Sequence, residues 1–526
     1  PWYTVGLSIM ATQASAITFL SAPGQAYTEG MGFVQFYFGL PLAMIILSVT
    51  AVPIYHRLKV YTAYEYLEGR FDLKTRSLAA LLFLTQRGLA AGLTIYAPSI
   101  ILSSIMGWNI YLTNLVIGGI VIIYTVGGGT RAVSYTQLGQ MAIILTGMLI
   151  AGVLVVNFLP ANVSFTEAMH VAGKMDRLNA LDFSFSWDDK YNIWSGLIGG
   201  LFLALSYFGT DQSQVARYLS GKSVAQSRLG LLFNGIVKIP MQFAILFIGA
   251  MLFVFFQFHK PPVFFNQVEI DRVNKTEYRN AFSEVERQFD QVHDEKQEKV
   301  ENLLSVMRTG SEAEVQEIKT DLNVLDKQSV ELRDSAKAII KVGSTYADPN
   351  DTNYIFLYFV MKYFPAGLVG LLIAVIFAAS MSSTSSELNA LASTSIVDIY
   401  KRTFRTSASD SHYLFASKAA TIGWGIYAIA VAMFANQLGS LIEAVNVLGS
   451  LFYGTILGIF LAAFYFRGIS GTPVFIAAII SEVAVIAIYT YSNITYLWFN
   501  VIGCVMVILL AYVIEVFLKP PAISKA

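Results

Sequence analysis

Apolar residues in this chain come in long unbroken runs. Such runs recur near 3–21, 33–54, 78–105, 110–128, 138–158, 193–211, 230–257, 354–384, 415–437, 441–466, 471–490 and 496–518. Each can cross about 30 Å of hydrocarbon as a helix, so the pattern predicts about twelve membrane spans and an all-α integral membrane protein. Between 258 and 350 the pattern changes to Glu, Lys, Asp and Gln, with apolar residues stepping by three and four. Phe282, Val285, Phe289 and Val292 form one such stripe, and Val315, Ile318, Leu322 and Leu325 another. With a turn at 308–311 between them, the spacing predicts a helical hairpin, coiled-coil-like and inserted between membrane spans.

Polar positions inside the apolar runs carry the next layer. The first run contains Ala11-Thr12-Gln13-Ala14-Ser15-Ala16-Ile17-Thr18, and the sixth contains Leu205-Ser206-Tyr207-Phe208-Gly209-Thr210-Asp211. Interrupted helices opening two successive groups of five spans point to an inverted-repeat transporter, whose unwound backbone offers carbonyls to a cation and amides to a solute. The eighth run ends in Ala379-Ser380-Met381-Ser382-Ser383-Thr384-Ser385-Ser386-Glu387. Ala379, Ser382 and Ser383 share a helix face there, which fits either a hard-cation site or close helix packing.

Composition supports the membrane reading: 55% of the 526 residues are hydrophobic and 13% charged. A net charge of zero gives no reason to expect nucleic acid. The one cysteine, Cys504, excludes a disulfide framework, and Pro1-Trp2-Tyr3 lacks the basic start of a signal peptide. Basic residues concentrate in one set of loops (Arg57, Arg70, Arg76, Arg131, Arg217, Arg402 and others), which assigns those loops and both chain ends to the cytoplasm. The division expected is 1–257 for spans one to seven, 258–350 for an extracytoplasmic hairpin, 351–520 for spans eight to twelve and 521–526 for a cytoplasmic tail. The first span opens almost at residue 1, as it would if a helix preceded it.

Three charged residues stand out. Arg87 lies within the third span, where a cation is a functional hypothesis by default; it would hold an anionic solute or snorkel. Lys238 is similar, and Asp211 is expected at the cytoplasmic end of the sixth span in a capping or salt-bridge role. No nucleophile–base pair, metal-ligand spacing or repeated carbonyl filter appears, and Gly127-Gly128-Gly129 lacks the lysine of a phosphate loop, so it is expected as a turn. The chain is not expected to be an enzyme.

With those residues in place, the sequence resembles the sodium:solute symporter family over nearly its whole length except the hairpin. The motifs are Ala11 to Phe19, Tyr96-Ala97-Pro98-Ser99, Gly127 to Val133, Asp211-Gln212-Ser213-Gln214-Val215-Ala216-Arg217-Tyr218-Leu219, and Ala379 to Asn389 followed by Asp398-Ile399-Tyr400-Lys401. The resemblance implies a LeuT-type fold of five plus five inverted-repeat spans and two C-terminal helices. It implies sodium as the coupled ion, held by the carbonyls of Ala11, Ala14 and Ala379 and the hydroxyls of Ser382 and Ser383. A second sodium would use Ser385 and Ser386, but Gln137 stands where relatives usually have aspartate, which favours one. The implied solute site comprises Gln13, Ser15, Thr18, Phe33, Gln35, Arg87, Tyr207, Phe208 and Lys238. The solute implied is a sugar or an acidic sugar such as sialic acid, the alternatives being a vitamin, a monocarboxylate or proton coupling. Proton coupling is disfavoured because no carboxylate is expected at the site. A sensor role is disfavoured because no output domain follows Lys525-Ala526. Expected partners are the solute, sodium, the lipid bilayer of a cell membrane (in bacteria the inner one) and a protein at the hairpin.

Overall fold

The computed structural model describes Trp2 to Leu518, apart from Ala14, Lys59, Tyr61, Ser220, Lys222, Ser311 and residues 344–346; for 128–138 and Thr309 only the backbone path is described. The first apolar run is two helices, α1 (Trp2–Gln13) and α2 (Ala16–Glu29), bent by 58°. Small polar residues hold a helix weakly, since their side chains compete for backbone groups. Here Ser15 is extended (φ −74°, ψ 176°), and its carbonyl accepts the Thr18 N–H at 3.0 Å.

A 3₁₀ stretch, Met31–Tyr37, then leads into α3 (Leu40–Val49) and α4 (Ala51–Leu58), which together make one span. After the short α5 (Glu65–Arg70) comes the 34-residue α6 (Leu73–Met106), started by Asp72 accepting from the Thr75 N–H at 2.9 Å. Helix α7 (Ile110–Asn157) contains two candidate spans, Ile110–Gly127 and Gly139–Asn157. The side chains between them, Gln137 included, lie outside the described residues, while the backbone of α7 runs helical through 127–129, where a turn was expected: with no β-carbon to clash, glycine accepts helical backbone as readily as a turn.

Following α8 (Phe165–Lys174), a π-helical turn, Ser195–Gly199, runs into α9 (Gly200–Thr210), then α10 (Gln212–Leu219) and α11 (Val224–Phe258). The insertion is α12 (Gln267–Val273), α13 (Arg279–Thr309) and α14 (Glu312–Gly343). The chain ends with α15 (Ile355–Tyr363), α16 (Ala366–Thr394), α17 (Asp410–Ala432), α18 (Leu441–Tyr465), α19 (Gly471–Tyr491) and α20 (Tyr496–Leu518).

Among the described residues ten helices are long and apolar enough to cross a membrane, or eleven with the bent α1/α2 pair. The chain is therefore an all-helical multi-span membrane protein. The count falls short of twelve at the sixth run, because Ser195–Thr210 is too short to qualify as a full span. Asp211 ends it there: its backbone is extended (ψ 118°), and its carboxylate accepts from the Ser213 N–H at 2.9 Å.

Two close approaches fix how α1/α2 lie on α11. A Cβ on Gly6 would stand 2.7 Å from the Phe233 ring, and one on Gly249 only 2.2 Å from the Pro23 carbonyl oxygen. Seventeen residues separate Gly6 from Pro23 and sixteen separate Phe233 from Gly249, so the two elements run side by side in the same sense. The break at 14–15 therefore falls alongside the middle of α11.

Helices α13 and α14 pack as a hairpin. Leu303, Leu304, Ile318 and Leu322 join the main core, while Phe282, Phe289, Ala336 and Ile340 form a second small core with Phe264 and Val273. Charged groups pin the hairpin to its neighbours. Asp326 accepts from Lys296 at 2.5 Å and from Arg177 at 3.0 Å, Arg308 meets Glu167 at 2.6 Å, and Arg333 meets Asp351 at 2.5 Å.

Candidate ion and solute site

Helix α1, in which Ala11 is buried, packs against α16 as well as α11. Ser382 and Ser383 are buried, and the Ser383 hydroxyl donates to the Ala379 carbonyl at 3.1 Å. A hydroxyl bonded back along its own helix uses its proton and keeps oxygen lone pairs for a cation. The donor set is therefore neutral oxygen, suited to a small hard ion. Among the described residues no three His, Cys, Asp or Glu side chains cluster as metal ligands. Ala14 lies outside the described residues.

The other hydroxyls of this run have different occupations. Ser380 donates to the Thr94 carbonyl at 3.1 Å, which fastens α16 to α6, and Thr384 donates back along its own helix to the Ser380 carbonyl at 3.0 Å. Ser385 pairs with Thr125 at 3.0 Å. Ser386 donates to the Ser382 carbonyl at 2.9 Å and receives the Arg217 guanidinium. A second cation at Ser385 and Ser386 would meet that fixed positive charge.

Arg87 is fully enclosed, and its position differs from a free anion-binding arginine. Its guanidinium donates to Glu387 at 3.0 Å, to Asp211 and to the Tyr453 hydroxyl at 3.1 Å, and lies 5.6 Å from the Tyr207 ring. Tyr453 donates to Asp211 at 3.1 Å and Thr94 to Glu387 at 2.8 Å. One arginine thus faces two carboxylates, so its charge is already matched. Asp211 has the capping and salt-bridge contacts expected of it, but in the interior, at 1% exposure, and not at a helix end facing water. The expectation of no carboxylate near the site fails: sequence reasoning overlooked Glu387. A carboxylate inside an apolar run was itself the signal.

The solute-facing residues divide. Gln13 lies at the end of α1, its amide oxygen buried and without a partner among the described residues; Thr18 is buried one turn into α2. Ser15 makes no side-chain cap. Phe208 packs on Tyr207 with ring centroids 4.9 Å apart, and Gln214 holds the Tyr207 hydroxyl at 2.6 Å. Phe33 belongs to an aromatic group with Phe36, Tyr37 and Tyr191. Gln35 is engaged at both ends of its amide, donating to the Tyr191 carbonyl at 2.8 Å and accepting the Asp182 N–H at 2.9 Å. That engagement counts against a solute role for it. Lys238 is completely buried, its ammonium 5.4 Å from the Tyr37 ring.

Comparison with known proteins bears on this geometry. The chain is 25% identical over 521 residues to the sodium/sialic acid symporter of Proteus mirabilis (strain HI4320), covering 97% of this chain and 86% of that protein. It is 31% identical over 255 residues to the human sodium/iodide cotransporter, covering 48% of this chain and 39% of the relative. With the sodium-dependent multivitamin transporter of Oryctolagus cuniculus it shares 24% over 473 residues, 88% of this chain and 59% of that one. The chain thus spans less than two thirds of the length of two of these three relatives. A solved sodium-coupled sialic acid symporter, substrate-bound and outward-open, superposes with a TM-score of 0.72 at 23% identity, covering 99% of this chain and 90% of that one. The model of the sodium:solute symporter family matches residues 1–275 and 336–481, leaving out all of α13 and the first three quarters of α14. With 421 of 526 residues matched, the chain belongs to the sodium:solute symporter family, a family of transporters and not of enzymes.

Proposed function

We propose that this chain is a sodium-coupled secondary active symporter that imports a small polar solute by alternating access, a sugar or an acidic sugar such as sialic acid. The observation that carries the reading is the bent pair α1/α2 packed against α16, the helix that bears the hydroxyl run from Ser380 to Ser386. The candidate ligands on the two elements are carbonyls and hydroxyls, the neutral oxygens that a small monovalent cation would bridge.

Two features support a five-plus-five repeat followed by α19 and α20: the bend opening the first group of spans and the break at Asp211 opening the second. The distribution of basic residues supports cytoplasmic ends and an outer hairpin. The apolar stripes of the hairpin are buried against this chain, which favours a stabilising insertion over a protein-docking device.

In this mechanism sodium enters from outside and draws the carbonyls of Ala11 and Ala14 toward Ala379, Ser382 and Ser383. That fixes α1 and completes a solute site from Gln13, Ser15, Thr18, Phe33, Tyr207, Phe208 and Lys238. The bundle then rocks to open inward. One sodium moving inward gains about 2.3 kcal/mol per 100 mV, enough for roughly a fifty-fold gradient of an uncharged solute. One sodium is favoured over two because Arg217 already lies at Ser386.

Uptake into proteoliposomes of labelled sugars and sialic acid, with sodium replaced by choline, tests the proposal. Uptake should need sodium, and Ser383→Ala should raise the sodium requirement roughly tenfold, as loss of one polar contact implies. Uptake indifferent to the replacement would remove the sodium claim.

A further inference from the structure

We infer that the solute is a small hydroxylated monocarboxylate whose charge is met by Lys238, with Asn234 and Gln242 beside it. The inference rests on the transport reading for the existence of a solute, and not for the solute's chemistry.

Asn234, Lys238 and Gln242 follow one another at four-residue steps along α11 and so form one stripe. All three are 0% exposed. The Lys238 ammonium, both amide atoms of Asn234 and both amide atoms of Gln242 have no hydrogen-bond partner among the described residues. Buried polar groups are otherwise nearly always paired, and a buried ammonium without an anion is among the costliest arrangements a fold can hold. Five such atoms on one stripe mark a place built for something polar.

The stripe runs where the solute site is proposed. The packing of Gly6 and Gly249 aligns the break at 14–15 with the middle of α11, and Tyr37 of the 3₁₀ stretch lies against Lys238. Arg87 cannot serve the same purpose. Its charge is matched by Asp211 and Glu387, and those three groups together carry an excess negative charge that repels an anion.

The donor set describes the ligand. A carboxylate accepts from the ammonium and from the amide NH₂ groups, while the two amide oxygens accept from hydroxyls. A neutral sugar would satisfy the amides and leave the ammonium unmatched.

The test uses the full chain in detergent, with thermal unfolding read at increasing concentrations of N-acetylneuraminate, glucuronate and lactate, each against its methyl ester. Chloride is held constant, and sodium and choline are compared. At least one acid should bind in sodium roughly thirtyfold or more tightly than its ester, the range seen when one partner of a buried charge pair is lost. Lys238→Gln should abolish that preference and Lys238→Arg should keep it. Without solute, Lys238→Gln should unfold at a higher temperature than wild type, because an unpaired buried charge has gone. Esters binding as well as acids, no acid binding at all, or a preference surviving Lys238→Gln would each overturn the inference. Acid binding that sodium does not tighten would instead remove the coupling reading and leave this one standing.

Discussion

Arg87 looks from sequence like a hand held out to an anion, and in the fold it is already grasped by two. The consequence is an asymmetry among its partners. Removing Arg87 strands two carboxylates at 1% and 7% exposure, whereas neutralising one carboxylate leaves a matched pair. Arg87→Gln should therefore cost about 3–5 kcal/mol of stability with no solute present. Glu387→Gln should cost no more than about 1 kcal/mol, the net worth of a typical hydrogen bond. Thermal unfolding of the purified variants checks both, and an Arg87→Gln protein as stable as wild type would sink the structural assignment of this group. Arg87 was legible as a cation in an apolar run. Its partners were not, because Asp211 and Glu387 lie 124 and 300 residues away and only the fold brings them together. Glu387 was further hidden by the serines before it, which drew attention to hydroxyls.

Helices were the most readable elements, since run length and the three–four step fix their existence. The hairpin at α13 and α14 was legible from its stripes, but its attachment to α8 through Arg308 and Glu167 and to α11 through Lys296 and Phe253 was not. The sixth run misled for a local reason: hydropathy continues to Thr210 while Asp211 takes the next amides for itself. Within the hairpin, burial pushes His293 down to about 4, with Lys296 and Lys260 adding to the effect and Asp294 opposing it. An unfolded histidine takes its proton near 6.5, so between those values the unfolded hairpin binds more protons than the folded one. The contribution of His293 to stability is thus present above pH 6.5 and is lost as pH falls toward 4. Glu269, raised to about 7, and Asp348, raised to about 6, act with the opposite sign, so wild type alone cannot isolate the histidine. The comparison of wild type with His293→Gln can. Hydrogen exchange in α13, corrected for intrinsic rates, should show protection falling between pH 6.5 and 4.5 more steeply in wild type; parallel profiles would refute the assignment.

At the scale of the whole molecule, two kinds of junction meet on α16. Toward α6, α9–α10 and α18 it is tied by the buried charges around Arg87, which resist separation because opening them exposes unpaired ions to hydrocarbon. Toward α1, in the proposed mechanism, it offers neutral oxygens, which would part at small cost once a bridging cation leaves. Motion in the transport cycle should therefore concentrate at the α1/α2 bend and spare the charged junction. The sequence provides a clean reporter, since its one cysteine, Cys504, is fully buried in α20. Gln13→Cys, placed at the bend, should react with a membrane-impermeant thiosulfonate from the outer side roughly tenfold faster in sodium than in choline, as coupling of one to three kcal/mol between ion and conformation implies. Adding Ser383→Ala should shift that acceleration to higher sodium in step with its effect on uptake. Equal labelling in both salts would mean that sodium does not act through α1, and the division between a movable and a fixed face of α16 would fall with it.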